Sequence, residues 1–230
     1  MKRIAVIPAR GGSKRLPRKN ILDFRGTPIL AYTVRAALAT ALFDRVVVST
    51  EDHEIAAVAH AAGAQVDMRH ADLATDQSTV AEVCIDLLAR EAQAGRQYEL
   101  LCCCYATAPL RTADDIAATV GLIEPGRCDY AVAVTTFSHY PHQALKQDEQ
   151  GVLIPMWPAL ANLRSERIGT LLAGNGSTYA VTVDTFLRDR EFYGPGMRGH
   201  LMPFHRSIDI DTRDDYELAL AVANHAGFGA

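Results

Sequence analysis

The segment Ile7-Pro-Ala-Arg-Gly-Gly-Ser-Lys-Arg-Leu-Pro-Arg-Lys-Asn20 grows out of the apolar run Arg3-Ile-Ala-Val-Ile-Pro8. A run so uniformly apolar reads as a buried strand, and it empties into a loop that sets Gly11, Gly12 and Ser13 among Arg10, Lys14, Arg15, Arg18 and Lys19. In an open α/β sheet, ligands bind at the carboxyl ends of the strands, which is where this loop would lie. Glycines let backbone N–H groups approach anionic oxygens without a Cβ in the way, and the basic side chains supply the charge that a triphosphate demands. The spacing is neither Gly-x-x-x-x-Gly-Lys-Ser/Thr nor Gly-x-Gly-x-x-Gly, so a P-loop NTPase and a dinucleotide fold are both disfavoured. A solvated basic turn is the plain alternative, but such a turn has no need of paired glycines directly after a buried strand.

On either side of this loop, strand-length apolar runs alternate with segments of helical period. Ile29–Thr40 predicts a helix, Arg45–Ser49 a strand, and His53–Ala62 a helix that stops at Gly63. A short strand at Gln65–Met68, a helix over Thr79–Glu91, the strand Leu100–Tyr105 and a helix from Thr112 to Ile123 continue the order. Thr112-Ala-Asp-Asp115 offers that last helix an N-cap with acids in its first turn. Strands this apolar belong to a parallel sheet covered on both faces, so the fold class is α/β: Rossmann-like, doubly wound, with a mostly parallel sheet. After the strand Tyr130–Thr136 the texture turns to Pro, Gln and turn residues, and 137–178 reads as an excursion from a single domain spanning 1–230. Tyr179–Val183 reads as the returning strand; Ile208-Asp-Ile-Asp-Thr212 is a strand end followed by the helix Arg213–Asn224, and the small residues Ala226–Ala230 as a frayed end.

Bulk properties narrow the function. The chain has 230 residues, 49% of them hydrophobic, enough for a sizeable core. A net charge of -4 argues against a general nucleic-acid binder, which carries a basic excess. No stretch approaches the roughly 20 apolar residues of a membrane span, and Met1-Lys2-Arg3 leads into a strand rather than a signal-peptide core, so a cytoplasmic protein is expected. Of the five cysteines, Cys102-Cys103-Cys104 are consecutive in an apolar run and read as buried reduced thiols; no Cys-x-x-Cys or nearby His pairing completes a ligand set.

The opening segment, with Pro17-Arg-Lys-Asn20, resembles the signature of cytidylyltransferases that activate sugar acids, the CMP-sialic acid synthetase family. Further pieces recur in family order: Phe43-Asp-Arg-Val-Val-Val-Ser-Thr50, Arg69 with Asp72-Leu-Ala-Thr-Asp76, Tyr105-Ala-Thr-Ala-Pro-Leu-Arg111, Asn162-Leu-Arg-Ser165 and Ser207-Ile-Asp-Ile-Asp-Thr212. Together they span nearly the whole chain. The resemblance implies CTP and a nine-carbon 2-keto sugar acid as substrates, with CMP transferred to the anomeric hydroxyl and pyrophosphate released. It implies a nucleotide site formed by Ala9, Arg10, Gly11, Gly12, Ser13, Lys14 and Asn20, with Arg69, Ala74, Thr75 and Asp76 facing the cytosine and ribose. Arg10, Lys19 and Asp211 would carry the chemistry. Arg69 as a surface cation and Asp76 as a helix cap or turn residue are the structural alternatives.

Asp209 and Asp211 stand two apart, so on a strand their carboxylates point the same way and can converge on one Mg²⁺. The resemblance implies the same metal role; capping of the following helix is the alternative. For the acceptor, Arg164 is the best partner for a carboxylate because guanidinium binds it bidentately, and an exposed loop arginine is the alternative. Tyr105, Thr107 and Gln143 complete the acceptor candidates. Tyr105 and Gln143 stand where the sialic-acid enzymes commonly carry Gln and Lys, which resembles the pseudaminic acid branch, whereas Asn175-Gly176 resembles the sialic and legionaminic enzymes. A different acid, such as Kdo or a phosphonate, and a catalytically silent nucleotide-binding regulator are the competing readings. The resemblance also implies a homodimer through the excursion, for which Met156, Trp157 and Leu160 would be apolar anchors, with burial in the chain's own core the equal alternative.

Overall fold

The computed structural model describes residues 1–225, so the expected frayed end Ala226–Ala230 lies outside the described residues. The elements run β1 (Arg3–Pro8), β2 (Asp23–Phe24), β3 (Thr27–Pro28), α1 (Ile29–Ala39), β4 (Arg45–Thr50), α2 (His53–Ala61), β5 (Gln65–Met68), α3 (Val80–Gln93), β6 (Leu100–Cys104) and α4 (Ala113–Val120). Then follow β7 (Tyr130–Thr136), β8 (Leu145–Gln147), β9 (Leu153–Pro155), β10 (Leu172–Thr182), α5 (Val183–Asp189), β11 (Arg198–Leu201) and α6 (Arg213–His225). A seven-stranded sheet has the order β11-β7-β10-β6-β1-β4-β5. β1 pairs in parallel with β4 and β6, β4 with β5, and β7 with β11, while β10 runs antiparallel to both of its neighbours. The fold is therefore α/β with a mostly parallel sheet, as the alternation of runs predicts.

Period-two alternation explains why both faces are covered. Ala5, Ile7, Val46, Val48, Cys102 and Cys104 pack on one face with Leu30 and Val34 of α1, Ile55 and Ala59 of α2, and Ile116 and Val120 of α4. Ile4, Val6, Val47, Leu101 and Cys103 pack on the other with Cys84, Leu87 and Leu88 of α3 and Phe186 of α5. The three consecutive cysteines thus divide between the faces, and all five thiols are free and buried. A smaller core joins Leu16 and Phe24 to Ile208, Ile210, Ala219 and Ala223, fastening α6 and the segment before it beneath the first loop.

Three expectations need correction. Ile208–Thr212 is not a strand: its neighbour is the loop after β6 rather than a free strand edge, and a single backbone bond, Ile210 N–H to Thr107 C=O at 2.9 Å, fixes it. The in-out alternation survives, because Ile208 and Ile210 are both buried while the aspartates face the other way. The returning strand starts earlier than Tyr179, at Leu172, since Leu172–Gly174 pairs with Val134–Thr136 before an irregularity resets the register at Tyr179. Val183 ends no strand either; it opens α5.

Candidate active site

At the carboxyl end of β1 the loop is held at both ends. Ala9 N–H reaches Ser49 C=O at 3.0 Å, Ser13 N–H turns back on Gly11 C=O at 3.0 Å, and the buried Asn20 amide donates to Arg10 C=O at 2.9 Å. A side chain at Gly11 would collide with the Asp52 carboxylate, whereas Gly12 opens onto free space. Arg18 adopts a left-handed conformation and turns away from the cleft to pair with Asp52 and Glu54. Its hydrogen bond holds the Asp52 carboxyl below its ordinary value against the cost of burial, helped by the two backbone donors that Asp52 caps at the start of α2. Of the five loop cations, Arg18 therefore braces the loop.

The other four face a cleft of about 490 Å³, within the usual range for a small-molecule site. Arg10 reaches across to Thr75 C=O at 3.1 Å and to Asp76 at 2.9 Å, and Lys14 pairs with the same carboxylate. These partners, Lys14 first, keep the Asp76 carboxyl below its ordinary value. Arg69 is 7% exposed and donates to Glu51 at 2.9 Å, while the other Glu51 oxygen accepts Gly11 N–H at 2.7 Å. Glu51 thus ties Arg69 to the glycine turn. Two buried donors in this region, Ser13 Oγ and Arg69 Nε, have no hydrogen-bond partner. Ser13 and Arg69 both line the cleft, and buried polar groups left unmatched call for a ligand or water. Ala74 ends the short turn Ala71–Ala74 beside Thr75, which also lines the cleft.

The C-terminal segment closes the floor. Lys19 Nζ and Arg15 Nη2 each approach Asp211 at 2.6 Å, and Thr107 Oγ1 donates to Asp209 at 2.5 Å. Burial opposes ionisation of Asp211, yet the Lys19 hydrogen bond and the charges of Lys19 and Arg15 hold its carboxyl below the ordinary value. Asp209 goes the other way: burial pushes it up, the Thr107 bond offsets part of the rise, and the charge of Asp211 adds to it. Neither aspartate caps α6. Asp215 accepts from the backbone N–H groups of Asp211 and Thr212 at 3.1 and 2.8 Å, and Thr212 Oγ1 accepts from Asp215 N–H at 3.3 Å. Gly176, at φ 68°, leaves the room Asp209 needs, since a Cβ there would lie 2.7 Å from its carboxylate.

The acceptor candidates separate. Tyr105 and Thr107 line the cleft, and burial drives the Tyr105 hydroxyl pKa upward. Gln143 and Arg164 line a different, open recess of about 540 Å³ with Ala161–Glu166 in the excursion. Around it Leu145, Leu153, Ile154, Met156, Trp157 and Leu160 are exposed, which removes burial in the chain's own core as the role of the last three. Sequence reasoning gave Arg15, Glu51 and Gly176 no specific role. Glu51 carries a legible signal, since it follows β4 at the same sheet edge; the reach of Arg15 to Asp211 bridges 196 positions and carries none.

The fold and cleft define a nucleotide-binding α/β protein. Its backbone superposes on CMP:2-keto-3-deoxy-manno-octonic acid synthetase complexed with CTP, with a TM-score of 0.72 over 98% of this chain and all of that one, at 18% identity. The chain belongs to the cytidylyltransferase family, whose profile matches residues 4–154. Within it, the chain is 32% identical to the pseudaminic acid cytidylyltransferase of Campylobacter jejuni over 98% of both chains. It is 35% identical to the CMP-N,N'-diacetyllegionaminic acid synthase of Legionella pneumophila over 95% of this chain and 94% of that one. The N-acylneuraminate cytidylyltransferase of Streptococcus agalactiae shares 30% identity over 94% of this chain but only 52% of its own length. The chain is thus a nucleotidyltransferase of the acylneuraminate and pseudaminic acid type.

Proposed function

We propose that this enzyme transfers CMP from CTP to the anomeric hydroxyl of a nine-carbon 2-keto sugar acid. The hydroxyl oxygen forms a bond to the α-phosphorus, the bond from that phosphorus to the bridging oxygen breaks, and pyrophosphate leaves with the electron pair while the hydroxyl proton passes to water. The observation that carries this reading is the meeting, in one cleft, of the glycine-rich basic loop and Asp211 from the far end of the chain, joined through Lys19 and Arg15. In-line transfer of this kind depends on positioning and on neutralising charge that builds on the phosphoryl oxygens. Arg10, Lys14, Lys19 and the Gly12 N–H supply that neutralisation, with Asn20 holding the loop in shape. Arg69 and the Ala74-Thr75-Asp76 turn face the nucleoside. The triphosphate would draw Arg10 and Lys14 off Asp76, and Arg15 and Lys19 off Asp211.

Asp209 and Asp211 fit Mg²⁺. They are oxygen donors, they lie on one side of an extended segment, and the half-buried Asp209 gains only one hydrogen bond to offset its lost hydration. A bound Mg²⁺ would supply charge compensation for the triphosphate oxygens. No group of three or more His, Cys, Asp or Glu gathers as a metal cluster among the described residues, which accords with an ion that takes one or two protein carboxylates and keeps its waters.

The recess that holds Gln143 and Arg164 is read as a donor of acceptor contacts to a second subunit, with the exposed apolar side chains of the excursion as the homodimer interface. No helix among the described residues is long and apolar enough to cross a membrane, and the five free thiols suit a reducing cytoplasm. The test is pyrophosphate release with CTP, Mg²⁺ and a panel of pseudaminic, legionaminic and sialic acids. Turnover with at least one is expected. Turnover only with Kdo or a phosphonate would overturn the acceptor class, and silence on every acid would overturn the reading.

A further inference from the structure

We infer that the ion pair between the buried Asp115 and the half-buried Arg206 positions Asp209 for its cation, an inference that rests on reading Asp209 and Asp211 as the metal pair. Asp115 is the third residue of α4 and only 2% exposed. As a helix cap it needs one oxygen: Oδ2 takes Thr112 N–H at 3.0 Å and Thr112 Oγ1 at 2.8 Å. Capping carboxylates do this at the surface at no desolvation cost, so a buried one implies a further demand on the group. The second oxygen meets it. Oδ1 accepts Arg206 Nη2 at 2.7 Å and faces His200 Nε2 at 3.3 Å, while Arg206 Nε lies 3.3 Å from Oδ2, so the guanidinium forks across both oxygens.

What the fork joins is specific. α4 begins directly after the loop that carries Thr107, and Arg206 stands three residues before Asp209. These two pieces of chain meet elsewhere at the site itself, through the Thr107–Asp209 hydrogen bond and the Ile210–Thr107 backbone bond. Between Arg206 and Asp209 there is little slack. The turn Phe204–Arg206 is closed by Arg206 N–H to Pro203 C=O at 3.0 Å and Ser207 N–H to Phe204 C=O at 3.0 Å. Ser207 Oγ also donates to Pro203 C=O at 3.0 Å and accepts from Asn175 Nδ2 at 3.1 Å, next to the glycine that leaves room for Asp209. A shift at Arg206 is therefore transmitted to the Asp209 carboxylate. Partners outside the ligand set that orient a ligand commonly govern metal affinity by 10- to 100-fold.

The experiment is calorimetric titration of the full chain with Mn²⁺ in the presence of CTP, alongside CTP titration without metal and a thermal melt, for Asp115→Asn, Arg206→Lys and Arg206→Gln. The two arginine variants keep the test alive should Asp115→Asn not fold. The expected result is a loss of Mn²⁺ affinity of roughly tenfold or more in Asp115→Asn and Arg206→Gln, a smaller loss in Arg206→Lys, and CTP affinity without metal unchanged. Lowered melting temperatures with wild-type Mn²⁺ affinity would make the pair a structural clamp and overturn the inference. Failure of the underlying reading looks different: the wild type would bind no Mn²⁺ with CTP present, or Asp211→Ala would bind it undiminished.

Discussion

Asp209 and Asp211 are chemically identical and two residues apart, yet their surroundings push them in opposite directions. Lys19 and Arg15 hold Asp211 ionised, while burial raises the Asp209 carboxyl. An acid whose folded-state pKa exceeds its unfolded value binds its proton more tightly when folded, so stability falls as pH rises through that window and the penalty is fully present at neutral pH. Asp209→Asn, whose amide oxygen can still accept from Thr107, is therefore expected to raise the melting temperature of the metal-free protein at pH 7 and to narrow the gain at acid pH, while abolishing turnover. A melting temperature unchanged or lowered at pH 7 would contradict the burial argument. Gly176→Ala tests the same carboxylate from the other side. Its positive φ and the 2.7 Å approach to Asp209 should lower stability by about 1–2 kcal/mol in urea unfolding and reduce turnover by roughly 100-fold. Both aspartates were legible from their spacing; the opposition between them was not, because burial and the Lys19 and Arg15 partners depend on tertiary packing.

At the scale of elements, periodicity carried the sheet. β1, β5 and β7 fall on the expected boundaries because each is a clear apolar or alternating run between punctuating residues. β11 gave no such signal: Arg198-Gly-His-Leu201 pairs with β7 alone at the edge of the sheet and needs no apolar run. Ile208–Thr212 shows the opposite case, a strand-like alternation used by an extended segment with no strand beside it. α3 begins at the cleft wall, where Thr79 and Glu82 form a reciprocal capping box and Thr79 lines the cavity. Thr79→Ala is expected to cost about 1 kcal/mol of stability, measured by urea unfolding. A change well under half that size would mean the cap contributes little to the fold.

For the whole molecule, the proposed nucleotide residues were legible as a group because the first loop is contiguous, whereas the proposed acceptor residues come from separate stretches of the chain. Tyr105 and Thr107 line the cleft, but Gln143 and Arg164 line a separate recess beside an exposed apolar stretch. A single chain does not bring these four together, which is why a dimer is part of the proposed function. Trp157, the only tryptophan, is 44% exposed there and reports on association directly. Light scattering is expected to give twice the chain mass, and dilution to shift the tryptophan emission to the red. Trp157→Asp should yield monomer with sharply reduced turnover but intact CTP binding. A monomeric wild type that turns over normally would contradict the dimer.

In the proposed function the first loop and the last aspartates form one site for a metal-bound triphosphate. Co-crystallisation with CTP and Mn²⁺, read by anomalous scattering, tests it most directly. The expected result is a manganese peak in coordination distance of the Asp209 and Asp211 carboxylates, with the triphosphate on Arg10, Lys19 and the Gly12 N–H. A peak away from both aspartates, or a nucleotide bound elsewhere than this loop, would contradict it.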